Sequence, residues 1–287
     1  MLTSIEFDHA DIYRDLAHYQ SAFAGFCETL PEDGWLGVSG SYPGAVELAR
    51  AHSPAPVHTY GNGAWAEYHA EDAAFGSDGA RFRILGPGGE SADLLLPMSG
   101  YHNVENATGV YAAARQLGLS AVTIARGFAT FQGVKRRQEP REEIGGVLVV
   151  DDFAHHPTAV RETILGMRQR YPHRRLWAVF EPRSNTSRRN IHQTEYAEAF
   201  DRADLVALRL PEPHDKVPAD QQLDVPAIVE DLRAREIEAT ASGEVAELVR
   251  IVSRGARPGD VILVMSNGSF GGFIPALLSA LRERGGA

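Results

Sequence analysis

Val147-Leu148-Val149-Val150-Asp151-Asp152-Phe153-Ala154-His155-His156-Pro157-Thr158 is the stretch whose reading decides the fold. Four apolar β-formers in a row read as a strand buried on both faces, and Pro157 reads as the first residue of a helix. The same alternation continues to the end of the chain. Apolar strands are expected at residues 176–180, 205–208, about 236–240 and 261–265. Helices separate them, one with the stripe Val245, Leu248, Val249, Val252 and the last with Phe273, Leu277, Leu278, Leu281. Short apolar strands alternating with helices predict an α/β fold, a Rossmann-like doubly wound parallel sheet. Ligands of such sheets bind at the carboxyl ends of the strands.

Three strand ends carry chemistry. The first offers Asp151, Asp152, His155 and His156. Helix capping explains either carboxylate alone, but four such groups in one loop point to a site. The second is Glu181-Pro182-Arg183-Ser184-Asn185-Thr186-Ser187-Arg188-Arg189-Asn190. Residues 168–189 hold seven arginines and one acid, 7 − 1 = +6 in an acidic chain. Arg168, Arg170, Arg174 and Arg175 fall near a helix C-terminus, where they offset its dipole. Arg183, Arg188 and Arg189 fall on the ligand edge, where guanidinium forks suit carboxylate or phosphate; a solvated loop explains them equally well. The third, Ser266-Asn267-Gly268-Ser269-Phe270-Gly271-Gly272, is a glycine-rich turn before a helix, either an anion cradle or simply a tight turn.

Upstream the texture differs. Residues 1–6 read as a strand end and residues 11–26 as a helix. Runs at 57–60, 65–68, 81–85 and 93–96, separated by Gly-rich turns, predict a small antiparallel sheet. Residues 103–117 read as a helix with Ala107, Val110, Tyr111 and Ala114 on one face. A second helix follows, and residues 135–140, polar and ending in Pro140, read as a linker. Glu6-Phe7-Asp8-His9-Ala10-Asp11 puts carboxylates beside an imidazole, which suits a divalent cation or a helix cap.

The chain has 287 residues, 28 basic and 38 acidic, a net charge of −10. Splitting it at residue 137 gives 9 − 15 = −6 and 19 − 23 = −4, so neither part has the basic footprint of a nucleic-acid binder. Cys27 is the single cysteine, which excludes an internal disulfide and fits a reducing cytoplasm. No apolar run approaches a membrane helix.

Residues 5–11, His102-Asn103-Val104-Glu105-Asn106, Gly133-Val134-Lys135-Arg136-Arg137 and residues 151–158 together resemble the Mur ligase family over nearly the whole chain. Residues 181–186 and 265–272 are most similar to the member that adds a tripeptide. The resemblance implies ATP- and Mg2+-dependent amide synthesis in peptidoglycan recycling. The carboxylate of UDP-N-acetylmuramate is phosphorylated, and the amine of L-Ala-γ-D-Glu-meso-diaminopimelate displaces the phosphate. It further implies that residues 1–137 are the C-terminal part of the central ATP-binding domain, incomplete, and residues 138–287 the C-terminal Rossmann-like domain.

By the same resemblance, His9 is the magnesium ligand, and His9 and Arg137 are the catalytic candidates. Asn103 and Asn106 lie beside the nucleotide, Asn106 at adenine. Arg137 reaches the ATP phosphates. Asp152 contacts the ribose, with His155 and His156 nearby. Arg183, Ser184, Asn185, Ser266, Asn267 and Gly268 receive the tripeptide. The family's UDP-sugar domain and P-loop have no counterpart in these residues: Lys135 is followed by Arg136 and Lys216 by Val217, so no G-x-x-x-x-G-K-[ST] exists. The expectation is a portion of a ligase that does not catalyse alone. The alternatives are the L-alanine-adding member of the family and a non-catalytic ligand-binding module. A nicotinamide oxidoreductase lacks support, since the dinucleotide fingerprint is missing.

Overall fold

The structure, a computed structural model, describes residues 1–211 and 217–285; Lys216 lies outside the described residues. The chain divides into two compact units, Met1–Gln132 and Gly133–Ala287.

The first unit runs α1 (Leu16–Glu28), β1 (Leu36–Ser39), α2 (Pro43–His52), β2 (Val57–Gly61), β3 (Tyr68–Gly76), β4 (Gly79–Gly86), β5 (Glu90–Leu96), α3 (Tyr101–Gln116) and α4 (Ala121–Ala129). Its sheet has the order β1-β2-β3-β4-β5. The strands β4 and β5 pair antiparallel as expected, and β3, of which only Tyr68 lies in an expected run, completes an antiparallel meander. Residues 57–60 depart from that expectation: β2 pairs in parallel with β1 and with β3. The cause is α2, since a strand–helix–strand crossover returns the chain in the same direction. Residues 65–67 precede β3 instead of forming a strand. The Trp65 ring lies on Gly40, Gly61 and Gly63, where an added Cβ would come within 1.9, 2.5 and 2.3 Å of it. Near the start only Leu2 bridges to Val38, and α1 begins late because Asp15 caps it, accepting the His18 N–H at 2.8 Å.

The second unit runs β6 (Glu139–Ile144), β7 (Val147–Asp152), α5 (Pro157–Arg170), β8 (Leu176–Phe180), α6 (Gln193–Ala199), β9 (Leu205–Arg209), α7 (Val225–Ala234), β10 (Glu238–Ser242), α8 (Val245–Gly255), β11 (Val261–Met265) and α9 (Phe273–Gly285). The sheet order is β10-β9-β8-β11-β7-β6, parallel throughout except for β6. Side chains alternate between two cores. Val150, Ala178 and Leu263 meet Ile164, Tyr196 and Ile228 on one face; Val149, Val179 and Ile262 meet Leu248, Phe273 and Leu277 on the other. The sheet is therefore doubly wound. The helices after β7 and β8 pack on one face and the helix after β11 on the other, which opens crevices beside the end of β11.

The expected linker is shorter than the sequence suggests. Glu139 and Pro140 already belong to β6, an edge strand with a bulge between Pro140 and Glu142. An edge tolerates a proline that cannot donate to the ladder. The basic cluster at 168–175 is structural. Arg168 bonds Asp204 and the Arg202 carbonyl, Arg174 bonds the carbonyls of Gly146, Gly259 and Asp260, and Arg175 pairs with Asp260.

Candidate functional site

In the second unit the ends of β8, β9 and β11 converge on a cavity of about 240 Å3 lined by Glu181, Pro182, Arg183, Arg188, Arg209, Leu210, Pro211, Ser269 and Gly271. That is smaller than the ~300–1,000 Å3 of a typical small-molecule pocket, room for one charged end of a ligand and not for a whole one. Three guanidinia face one carboxylate. Glu181, 3% exposed, is bonded to Arg209 through one oxygen and accepts from Ser266 Oγ at 2.5 Å through the other. That neutralises Arg209. Arg183 and Arg188 have no side-chain hydrogen-bond or ion-pair partner among the described residues, and the buried Arg188 Nε–H is an orphaned donor. A buried, unmet guanidinium donor is expensive to maintain and suits an anion.

The Ser266–Gly268 turn supports this cavity from below. Ser266 Oγ accepts the Gly268 N–H at 2.9 Å. The Arg183 side chain lies flat on Gly268: an added Cβ there would fall 2.2 Å from its Nη1 and 2.6 Å from its Cδ and Cζ. Gly268→Ala should therefore fold normally, because a flexible side chain gives way, yet swing Arg183 aside. With glutarate as a simple dicarboxylate probe of the arginine cavity, we expect a weakening of binding by about threefold or more, read by calorimetric titration, with an unchanged melting curve.

Ser184 and Asn185 do not line the cavity. Ser184 closes its own turn, its Oγ accepting the Ser187 N–H at 3.0 Å, and Asn185 is exposed. Asn267 keeps a buried Oδ1 without a partner. Arg209 was missed by the sequence reading; its position directly after four apolar strand residues was the available signal.

At the end of β7, Asp151 faces Arg136 at 3.6 Å and Arg141 at 3.3 Å. Burial pushes its carboxyl up, and those two arginines pull it back. Asp152 is 2% exposed; Oδ2 accepts the Gln138 N–H at 2.8 Å and Oδ1 the Ala154 N–H at 2.7 Å. Burial raises this carboxyl too, against those bonds and Arg137. The guanidinia of Arg136 and Arg137 lie 5.1 and 5.3 Å from the centre of the Phe153 ring. Arg136 is anchored further, donating to the carbonyls of Ser266 and, at 2.7 Å, Gly268. Arg137 is exposed, and its guanidinium makes no hydrogen bond among the described residues. His155 packs edge-on against Phe153, and His156 against His192 at 4.9 Å; neither lines the arginine cavity.

In the first unit, the His9 side chain is 60% exposed, its backbone sits at φ +56°, and its backbone N–H donates to Asp8 Oδ1 at 2.7 Å. Among the described residues no three His, Cys, Asp or Glu side chains gather to hold a metal. His9 offers at most one position of a magnesium shell. Asn103 is buried and donates to the Ser99 carbonyl at 2.8 Å, whereas Asn106 is exposed. Glu105, between them in sequence, accepts from Ser41 Oγ at 2.9 Å and Asn62 Nδ2 at 3.3 Å.

Comparison with known proteins agrees with this architecture. Residues 1–114 match the Mur ligase middle domain, and residues 136–268 match the Mur ligase, glutamate ligase domain. The chain belongs to the Mur ligase family, of which it carries middle and C-terminal domains. It is 33% identical to the UDP-N-acetylmuramate–L-alanyl-γ-D-glutamyl-meso-2,6-diaminoheptandioate ligase of Escherichia coli (strain K12), over 99% of this chain and 59% of that one. It is also 33% identical to the UDP-N-acetylmuramate–L-alanine ligase of Phenylobacterium zucineum, over 100% of this chain and 61% of that protein. A murein peptide ligase of Psychrobacter arcticus 273-4 superposes with a TM-score of 0.65 at 29% identity, over 96% of this chain and 56% of that one. The chain thus spans about three fifths of the length of these curated relatives. No helix among the described residues is long and apolar enough to cross a membrane.

Proposed function

We propose that this chain serves a Mur ligase that joins L-Ala-γ-D-Glu-meso-diaminopimelate to UDP-N-acetylmuramate through an ATP-derived acyl phosphate, in cell-wall recycling. The observation that carries the reading is the cavity with two unneutralised guanidinia, Arg183 and Arg188. Free L-alanine brings a single carboxylate to such a cavity. The tripeptide brings three, so two can be forked by the two arginines while its amine points away toward the acyl phosphate. Ser266, Asn267 and Gly268 hold the cavity in shape, and Ser184 and Asn185 flank Arg183.

Arg137 is the phosphate contact in this reading. Its guanidinium has no hydrogen-bond partner among the described residues and lies on Phe153. Asn106 is the exposed candidate for adenine, with Asn103 fixing the helix start behind it, and His9 contributes one magnesium position. ATP supplies the leaving phosphate when bound. The chain's residues orient the amine end and neutralise anionic charge, which is most of what such a transfer requires of a protein. With no P-loop in these 287 residues, the chain alone is not expected to turn over ATP. Neither nucleic acid nor a membrane is a partner in this reading, and the setting is the cytoplasm.

Calorimetric titration of the chain with the tripeptide, with free L-alanine as control, tests the assignment. The tripeptide should bind and L-alanine should not. Arg183→Ala should weaken the tripeptide about tenfold or more, the loss of one charge-assisted fork. Binding of L-alanine without the tripeptide would move the chain to the alanine-adding member, and tripeptide affinity untouched by Arg183→Ala would remove the cavity from the reading.

A further inference from the structure

Arg136 and Gln138 both adopt the left-handed backbone region, with φ of +58° and +51°. Neither is glycine, and the Cβ of an L residue makes this region unfavourable. The two flank Arg137. A doubly strained tripeptide persists only where the surroundings hold it, and the holding groups are Asp152 and Phe153.

Asp152 Oδ2 accepts the Gln138 N–H at 2.8 Å, and its Oδ1 accepts the Ala154 N–H at 2.7 Å. The Phe153 N–H donates to the Arg136 carbonyl at 2.8 Å, and Glu139 Oε2 accepts the Arg136 N–H at 2.8 Å. The Arg136 N–H and carbonyl and the Gln138 N–H are thereby tied down, on both sides of Arg137. The Arg136 side chain is tied down as well, by carbonyls of the Ser266–Gly268 turn. What emerges is one guanidinium, that of Arg137, laid 5.3 Å from the Phe153 ring centre without a hydrogen bond of its own among the described residues. Meanwhile Asp152 is 2% exposed with both oxygens turned to backbone amides.

We propose that Asp152 is a positioning residue: it pins Gln138 in the left-handed conformation, so setting Arg137 over Phe153, and acts on a bound anion through Arg137 without touching it. The consequence for phosphate rests on the reading of Arg137 given above, but the geometry concerns this chain alone and is tested without a ligand.

The test is nuclear magnetic resonance on the full chain with labelled arginine. In the wild type the Arg137 side-chain protons should be shifted upfield by the Phe153 ring, and Phe153→Leu should abolish the shift, which assigns it. Asp152→Asn leaves one acceptor oxygen for two N–H donors. It should collapse the Arg137 shift and speed exchange of the Gln138 amide by about tenfold or more. Adding Gln138→Gly should restore the Arg137 shift, because glycine enters the left-handed region without a Cβ penalty. A general loss of stability would not be repaired by a glycine at that one position.

The proposal is overturned if Asp152→Asn keeps the Arg137 shift, or if Gln138→Gly fails to bring it back. Should Asp152→Asn not fold, Gln138→Val decides. Its branched Cβ opposes the left-handed region while Asp152 stays intact, so loss of the shift supports the proposal and its retention overturns it. Failure of the tripeptide to bind leaves all these signals unchanged, so the two readings fail separately.

Discussion

Asp260→Ala should destabilise the second unit by about 3–5 kcal/mol, the usual effect of stripping one partner from a buried ion pair. Asp260 is 2% exposed and gathers four donors. Arg175 reaches it with Nε at 3.0 Å and Nη2 at 2.8 Å, the Trp177 indole N–H at 3.0 Å and the Arg257 backbone N–H at 2.9 Å. Alanine strips the acceptor from the indole N–H and leaves the guanidinium with the Gly255 carbonyl and solvent. Burial by itself would push the Asp260 carboxyl up; the Arg175 fork, the Arg257 amide and the Trp177 indole outweigh it and hold the carboxyl below its ordinary range. A depressed folded-state value means the contribution is fully present above the unfolded value, about 3.9, and is lost as pH falls through the folded value. Urea unfolding at a series of pH values should therefore show the wild type and Asp260→Ala far apart at neutral pH and converging in acid. Equal separation at every pH would show that the carboxylate charge is not what stabilises.

Gly79→Ala should be the comparable lesion in the first unit, about 3 kcal/mol or more. Gly79 opens β4 at φ +125°, where L residues are strained. An added Cβ would lie 2.0 Å from the Leu96 carbonyl oxygen and 2.7 Å from Pro97 Cα. Both are backbone atoms of the neighbouring strand end, so relief requires moving β5 itself. Gly88 is the built-in control: φ is +72°, but nothing lies within 4 Å of an added Cβ. Gly88→Ala should cost only the left-handed preference, about 1 kcal/mol. Circular dichroism through a denaturant series distinguishes the two, and equal losses would remove the steric argument.

The second unit was legible because β7, β8, β9 and β11 are continuous apolar runs covered on both faces, a pattern that water-facing segments do not show. β10, Glu238-Ala-Thr-Ala-Ser, lies at a margin with less to bury, and its bounds fall two residues beyond the expected ones. The first two residues of β6 fall within the expected linker because charge and proline mark loops as well as edges. Parallel pairing of β2 could not be read from residues 57–60, since direction is set by the intervening α2.

The site divides in the same way. Arg183 and the Ser266–Gly268 turn could be placed because strand ends were visible and ligands gather there. That Glu181 neutralises Arg209 and leaves the Arg188 guanidinium without a carboxylate depends on which side chains meet across three strand ends. Local sequence does not encode that. The Asp152 carboxylate was legible as important but not as turned inward, because its partners are backbone amides that carry no residue type.

The margin formed by β6 has one further consequence. Glu139-Pro140-Arg141-Glu142-Glu143 would have to lie against the same residues of a second copy for the two sheets to continue into one another. Proline withholds a donor from that seam, the bulge beside it breaks the rung spacing, and three glutamates would meet three glutamates. Concentrated solutions of this chain should therefore resist fibre growth from this side, whatever else the molecules do to one another.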